Sequence, residues 1–346
     1  SRGTYNVKEG KYVTSTNAIA VYTKDPVTLN ITGNVTGSEE VALIMAGKGA
    51  NLTIQSDDKY IVSAGNADVL VNVSGTATIR GGIYEATTDT EKPVIGNKNA
   101  GVLSIWNATI RVTGVNDSGQ AITNTNSTLN IHDGTVIDNG PLAKYDCIAN
   151  GIVNMYGGTI TAGAKNSAAI RADIATVTGG TIQNSKWGIY VKKGALPATI
   201  DGNVVFENNT EDVHLERGQT FTLTEDYSCN HAITVGIAES LPENTKRQIT
   251  TSGTSTKEML KYVTSADPEY AVGYDKAGQY LYLWKHTHTW KFTAEGNTIR
   301  ATCTDPDCEY HTDALTLTLN APEAAVEGET DKSYEASFKD DLAVTG

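Results

Sequence analysis

Four side chains recur at one offset in successive sequence repeats: Arg80, Trp106, His132 and Tyr156, at intervals of 24 to 26 residues. Aromatic rings interleaved with cationic and hydrogen-bonding groups suit the apolar face and hydroxyls of a sugar ring. If the repeats are β-strands stacked about 4.8 Å apart, these four side chains form one ladder on one face. Trp106 and Tyr156 then stand about 10 Å apart, which a disaccharide unit spans. Alternate rings of a linear glycan running along the stack would meet alternate aromatics. Arg80 and His132 would supply donors, which favours an acidic sugar. The net charge of -13 opposes that choice. The competing explanation is an ordinary surface ladder whose rings stack only on one another.

Catalysis would need a tighter grouping. Carboxylates that divide acid and base roles must face each other within a few ångströms. Here Asp57, Asp58, Asp117, Asp133, Asp138, Asp146, Asp173 and Asp201 are spread over turn-like segments. The one local set is Asp146, Arg171 and Asp173, on adjacent repeats. It is the candidate for a polysaccharide lyase or glycoside hydrolase, against the reading that these are solvated turn charges. No catalytic residue is assigned, no cofactor is expected, and the chain reads as a non-catalytic protein. A further series, Asn97, Asn124 and Asn150, takes a structural explanation: Asn tolerates left-handed turns, and stacked amides bond along a solenoid.

What positions these residues is the repeat. Val153–Ile160 and Ala175–Ile182 are two copies of one pattern, alternating small or apolar with polar residues and broken by a glycine pair. With Met155 as reference, the column is Ile31, Ile54, Ile79, Ile105, Ile131, Met155, Val177 and Ile200, at intervals of 22 to 26 residues. Five positions on come Tyr84, Ile110, Val136, Ile160, Ile182 and Val205. A second column leads in through Ile95, Ile122, Ile148, Ile170, Ile189 and Val213. Three short strands per repeat, and no 3.6-residue periodicity between them, specify an all-β parallel β-helix over residues 1–285. It has three sheets and about eight to ten coils. The first 25 residues are expected to cap it, and between Tyr60 and Thr78 two registers are possible. Residues 220–285 are expected to close the far end. A helix over Thr254–Val263 and a hairpin around Asp275–Gly278 are predicted there.

The composition fits. Charged residues make up 19% of the 346 and glycines number 33, which suits turn-rich β-structure. The acidic balance excludes nucleic acid and anionic membrane surfaces as partners. No apolar run reaches membrane-spanning length, so no membrane insertion is expected. The chain reads as a monomer cut from a larger secreted or cell-wall-associated protein. A host or dietary polysaccharide or glycoprotein is the expected kind of partner.

Residues 286–346 read as a separate small all-β module. Cys303 and Cys308 bracket a turn, and in an oxidising compartment a disulfide between them would compensate for a small core. Zinc held by His286, His288, Cys303 and Cys308, with His311 nearby, is the rival. Cys147 and Cys229 read as buried thiols.

The Gly-Gly-Thr-Ile repeats resemble the right-handed β-helix, pectin-lyase-like regions of multi-module surface proteins from Gram-positive, often gut-dwelling bacteria. Residues 220–284, through Tyr262–Asp267 to Trp284, resemble the coil that often closes such regions. His286–Ala294 and Thr298–Cys303 resemble the small β-module that often follows. The resemblance implies architecture and an adhesin-like, surface-displayed role. The catalytic motifs of pectate lyases and polygalacturonases have no counterpart in the sequence.

Overall fold

The computed structural model describes residues 2–316 except 13–17, 38–40, 65–67, 87–91, 114–118, 141–144, 229–230, 286–288, 296–297 and 305–310. Strand after strand pairs in parallel with its counterparts one coil before and one coil after, giving a parallel β-solenoid of about eight turns. The reference sheet stacks Leu29, Ile54, Ile79, Ile105, Ile131, Met155, Val177, Ile200 and Leu223 in one register. All of these are buried. The expected first member, Ile31, instead pairs with Ser56. Val27, Leu29 and Ile31 alternate identically, so a slip of two residues keeps every side chain on its face and cannot be read from pattern alone.

The second sheet stacks Tyr84, Ile110, Ile137, Ile160, Ile182 and Phe206. The expected Val136 and Val205 are each one residue off, and Val136 is exposed. The turns before Ile137 and Phe206 hold one extra residue, and each contains a glycine at positive φ, Gly134 and Gly202. The third sheet runs from Ile19, Ile44 and Leu70 into Ile95, Ile122, Ile148, Ile170, Ile189, Val213 and Val235. It also resolves the region of double register. Ile61–Ala64 belongs to the second sheet, Leu70–Val73 to the third and Thr76–Arg80 to the reference sheet.

A buried amide ladder ties the third sheet to the reference sheet. Asn72 Nδ2 donates to Asn97 Oδ1 at 2.8 Å, and Asn97 Nδ2 to Asn124 Oδ1 at 2.7 Å. Each amide also reaches a carbonyl of a reference strand: Val102 at 3.2 Å, Thr128 at 2.9 Å and Ile152 at 2.8 Å respectively. Asn72, not anticipated, is the first member. Asn150, anticipated, stands in a turn with φ 68° and accepts from Lys192 Nζ at 3.0 Å.

The ends differ from expectation. Gly3–Val7 pairs in register with the strand Pro26–Ile31, and Ile19–Val21 with Ile44–Ala46, so paired strands lie within the stretch expected to cap the solenoid. At the other end the predicted helix is a short 3-10 segment, Lys257–Tyr262, and Thr256 makes no side-chain cap bond. Val263 already enters the strand Val263–Ser265, paired with Ile233–Val235, which leaves no length for an α-helix. Met259 is buried beneath it. A three-stranded antiparallel sheet, Lys246–Gln248, Tyr280–Lys285 and Tyr270–Asp275, contributes Leu281 and Leu283 to the solenoid's core. The hairpin turns at residues 275–280, as predicted. Beyond it, Trp290–Glu295, Thr298–Cys303 and His311–Thr316 form a small separate antiparallel sheet. The strand anticipated at Tyr334–Phe338 lies outside the described residues.

Candidate functional site

The outward face of the reference sheet carries three columns side by side. Val102, Thr128, Ile152 and Ile174 form an apolar-leaning stripe, and Ser104, Asn130, Asn154 and Thr176 a polar one. The polar stripe is bonded along its length, Asn130 Nδ2 to Ser104 Oγ at 3.2 Å and Asn154 Nδ2 to Asn130 Oδ1 at 3.0 Å. At the strand ends stand Arg80, Trp106, His132 and Tyr156, the ladder anticipated from the repeat.

These four are in contact. The rings of Trp106 and His132 lie 3.5 Å apart and within 5° of parallel, and those of His132 and Tyr156 are 5.1 Å apart at 20°. The Arg80 guanidinium sits 5.5 Å from the Trp106 ring centre. Stacking therefore covers both faces of His132 and one face each of Trp106 and Tyr156, with Arg80 over the other face of Trp106. The expectation of Trp106 and Tyr156 as two separate platforms gives way for that reason: the rings offer their edges outward. Tyr156, half exposed, keeps one face free of ring stacking. Partial burial lowers the His132 pKa; the Arg80 charge adds to the shift and Asp133 opposes it. A neutral imidazole suits a ring enclosed between two aromatics beside a guanidinium.

The carboxylate set comes together only in part. Asp146 Oδ2 lies 3.5 Å from Arg171 Nη1, and its Oδ1 accepts the Ala168 N–H at 2.9 Å. Asp173 has other partners. It pairs with Lys192 Nζ at 2.7 Å and accepts the Gly151 N–H at 2.8 Å. Burial acts to raise the Asp173 pKa, but the bonds from Lys192 and Gly151 outweigh it and hold the carboxyl below its ordinary value. Asp146 and Asp173 thus keep separate partners among the described residues.

In the small sheet, Cys303 ends a strand opposite Trp290, and His311 opens the strand opposite Thr302. Cys308, His286 and His288 lie outside the described residues, as does Cys229. Cys147 is a free thiol, fully buried, its pKa pushed up by burial. Among the described residues no group of His, Cys, Asp or Glu could hold a metal ion. No helix among the described residues is long and apolar enough to cross a membrane.

A second cluster, not anticipated, occupies the outward face of the third sheet. The Arg171 guanidinium lies 4.5 Å from the centre of the Tyr190 ring, and Tyr190 stacks on His214 at 4.9 Å and 25°. Trp187 closes the group, 4.8 Å from Tyr190 edge-on and 5.1 Å from His214. Its indole N–H is buried with no acceptor among the described residues. Lys186 Nζ stands 4.2 Å over the Trp187 ring.

Two glutamates fix the polar edges. Glu211 Oε2 lies 2.6 Å from His214 Nδ1, and Tyr190 Oη donates to Glu216 Oε1 at 2.7 Å. Burial and the Glu216 contact together raise the Tyr190 pKa to about 12, so the phenol keeps its proton. In the next coil His214 is paired with Gly236, and a Cβ there would collide with the Glu211 carboxylate. Glycine is what leaves room for the Glu211–His214 pair. The signal was present in the sequence: Arg171, Tyr190 and His214 each follow a member of the Ile170, Ile189, Val213 column by one residue. Trp187 carries no such signal, because the strand shifts register between Gly163 and Ala168, opposite it.

Comparison with models of protein families, with curated proteins and with solved structures yields no match to this chain.

Proposed function

We propose that this protein is a rigid, non-catalytic scaffold of adhesin-like type, displayed outside the cell, which holds a ligand along the outward face of the reference sheet. The supporting observation is the in-register face itself. A bonded row of Ser104, Asn130 and Asn154 lies between an apolar stripe and the Arg80–Trp106–His132–Tyr156 stack. A glycan chain laid on this face would bond its hydroxyls to the amide row. It would place apolar C–H edges on Ile152 and the ring edges, and cover the open face of Tyr156. The rings already pack on one another before a ligand arrives, which limits the side-chain entropy lost on binding. A catalytic role finds less support, since Asp146, Arg171 and Asp173 do not form one constellation.

Glycan-array screening of the wild type beside a Trp106→Ala, Tyr156→Ala double variant tests this reading. Binding lost in the double variant is the expected result. Binding unchanged by the double substitution rules this face out, and no binding by the wild type reduces the role to that of a spacer. Release of unsaturated or reducing sugars from a polysaccharide panel, abolished by Asp173→Ala, would overturn the non-catalytic assignment.

A further inference from the structure

The third-sheet cluster has properties that an inert surface ladder lacks. Its acids are committed: Asp146 to Ala168 N–H, Glu211 to His214, and Glu216 both to the Tyr190 hydroxyl and to the Lys193 N–H at 2.9 Å. Its cations are not. Arg171 makes one long contact to Asp146 through Nη1, leaving its other N–H donors open, and its side chain is 39% exposed. Among the described residues Lys186 meets only the Trp187 ring. The indole N–H of Trp187 is a further donor without an acceptor, and buried donors are rarely left so. Three unspent donors thus surround an aromatic group of Trp187, Tyr190 and His214, held in place by two glutamates.

We propose that this cluster is a second ligand site, selective for a sugar residue that carries an anionic group, carboxylate or sulfate. The anion would take the open fork of Arg171 and the Lys186 ammonium, for which planar, paired oxygens are the matching acceptors. The pyranose ring would lie against Trp187 in place of the Lys186 side chain, which rotates outward to meet the anion. The Trp187 N–H, buried while Lys186 lies over the ring, would be uncovered by that rotation, and a ring hydroxyl would accept it. Glu211 and Glu216 contact no ligand: they hold His214 and Tyr190 so that the aromatic wall does not collapse. The site lies on a different sheet from the Arg80–Tyr156 face and stands or falls independently of it.

The test is calorimetric titration of the full chain with three hexasaccharides of matched length: a hexuronate, a sulfated one and a neutral one. Binding of at least one anionic probe, weakened by added salt and absent for the neutral probe, is expected, and which anionic probe binds tells carboxylate from sulfate. Arg171→Gln should weaken that binding at least tenfold. Trp187→Phe, which keeps an aromatic ring but deletes the N–H, should weaken it severalfold with an unchanged circular dichroism spectrum. The Trp106→Ala, Tyr156→Ala variant should bind as the wild type does. Failure of both anionic probes, equal binding of the neutral one, or indifference to both Arg171→Gln and Trp187→Phe would overturn the proposal.

Discussion

Asn97→Ala is the sharpest probe of what holds the solenoid together. Asn97 is fully buried. Its Nδ2 donates to Asn124 Oδ1, to the Thr128 carbonyl and, at 3.3 Å, to the Gly101 carbonyl, while its Oδ1 accepts from Asn72. Truncation spares Asn72, whose Nδ2 retains the Gly75 and Val102 carbonyls. It strands Asn124 Oδ1 in a dry interior and removes the link to Thr128. An unsatisfied buried polar group costs about 1–3 kcal/mol, and the void left by the side chain adds to that. The expected loss is about 3–4 kcal/mol. Asn97→Asp should cost more, because it sets a buried oxygen against Asn124 Oδ1 and the Thr128 carbonyl. Asn154→Ala is the matched control. It breaks an amide-to-amide hydrogen bond of the same kind on the solvated face, where water replaces the partner, and should cost under about 1 kcal/mol. Urea denaturation followed by far-UV circular dichroism, at unchanged slope, reads all three. If Asn97→Ala and Asn154→Ala fall within about 0.5 kcal/mol of each other, the interior ladder is not a source of cohesion between coils.

Two further substitutions test other links. Asp68 is buried, and desolvation raises its pKa to about 6 against the opposing charges of Lys98 and Lys92. A raised carboxyl favours folding below its unfolded pKa near 4, and that contribution is lost as pH climbs through 6. Asp68→Asn should therefore stabilise the protein by about 1–3 kcal/mol at pH 7.5 and confer nothing at pH 4. Equal urea midpoints for the two proteins at pH 7.5 would contradict this. Gly236→Ala should cost about 1–3 kcal/mol by displacing the Glu211 carboxylate. In a Glu211→Ala background the same change should cost much less, so a double-mutant cycle that comes out additive would remove Gly236 from the account.

The interior was legible because it obeys one rule repeatedly. Each inward aliphatic must fall at the same place in the next coil, so Ile105, Ile131, Met155 and Val177 declare their column at a glance. The errors came where that rule loses its grip. Leu29 and Ile31 both satisfy alternation, so the first coil slipped by two. The extra residue in the turns before Ile137 and Phe206 shifted the second sheet by one, since alternation constrains the strands and not the length of the turn between them. Leu70–Val73 can pass for a reference strand because the reference and third sheets use the same aliphatic alphabet. Only pairing of Asn72 with Asn97 distinguishes it.

The surface was legible to a lesser degree, for a physical reason. An offset carried along a column places outward side chains in line, and this brought out Arg80, Trp106, His132 and Tyr156. It says nothing of how rings orient once they touch, and the parallel contact of Trp106 with His132 changed what the ladder can offer a ligand. The third-sheet cluster depends on more than register. Glu211 reaches back to His214 within one strand, Glu216 reaches across to Tyr190, and Trp187 joins from a strand whose partner is bulged. Such contacts follow from side-chain length and local strand irregularity, which leave no period in the sequence. This solenoid therefore carries its most individual chemistry where its repeat is least regular, around residues 168–216, and that is where unpaired donors and committed acids coincide.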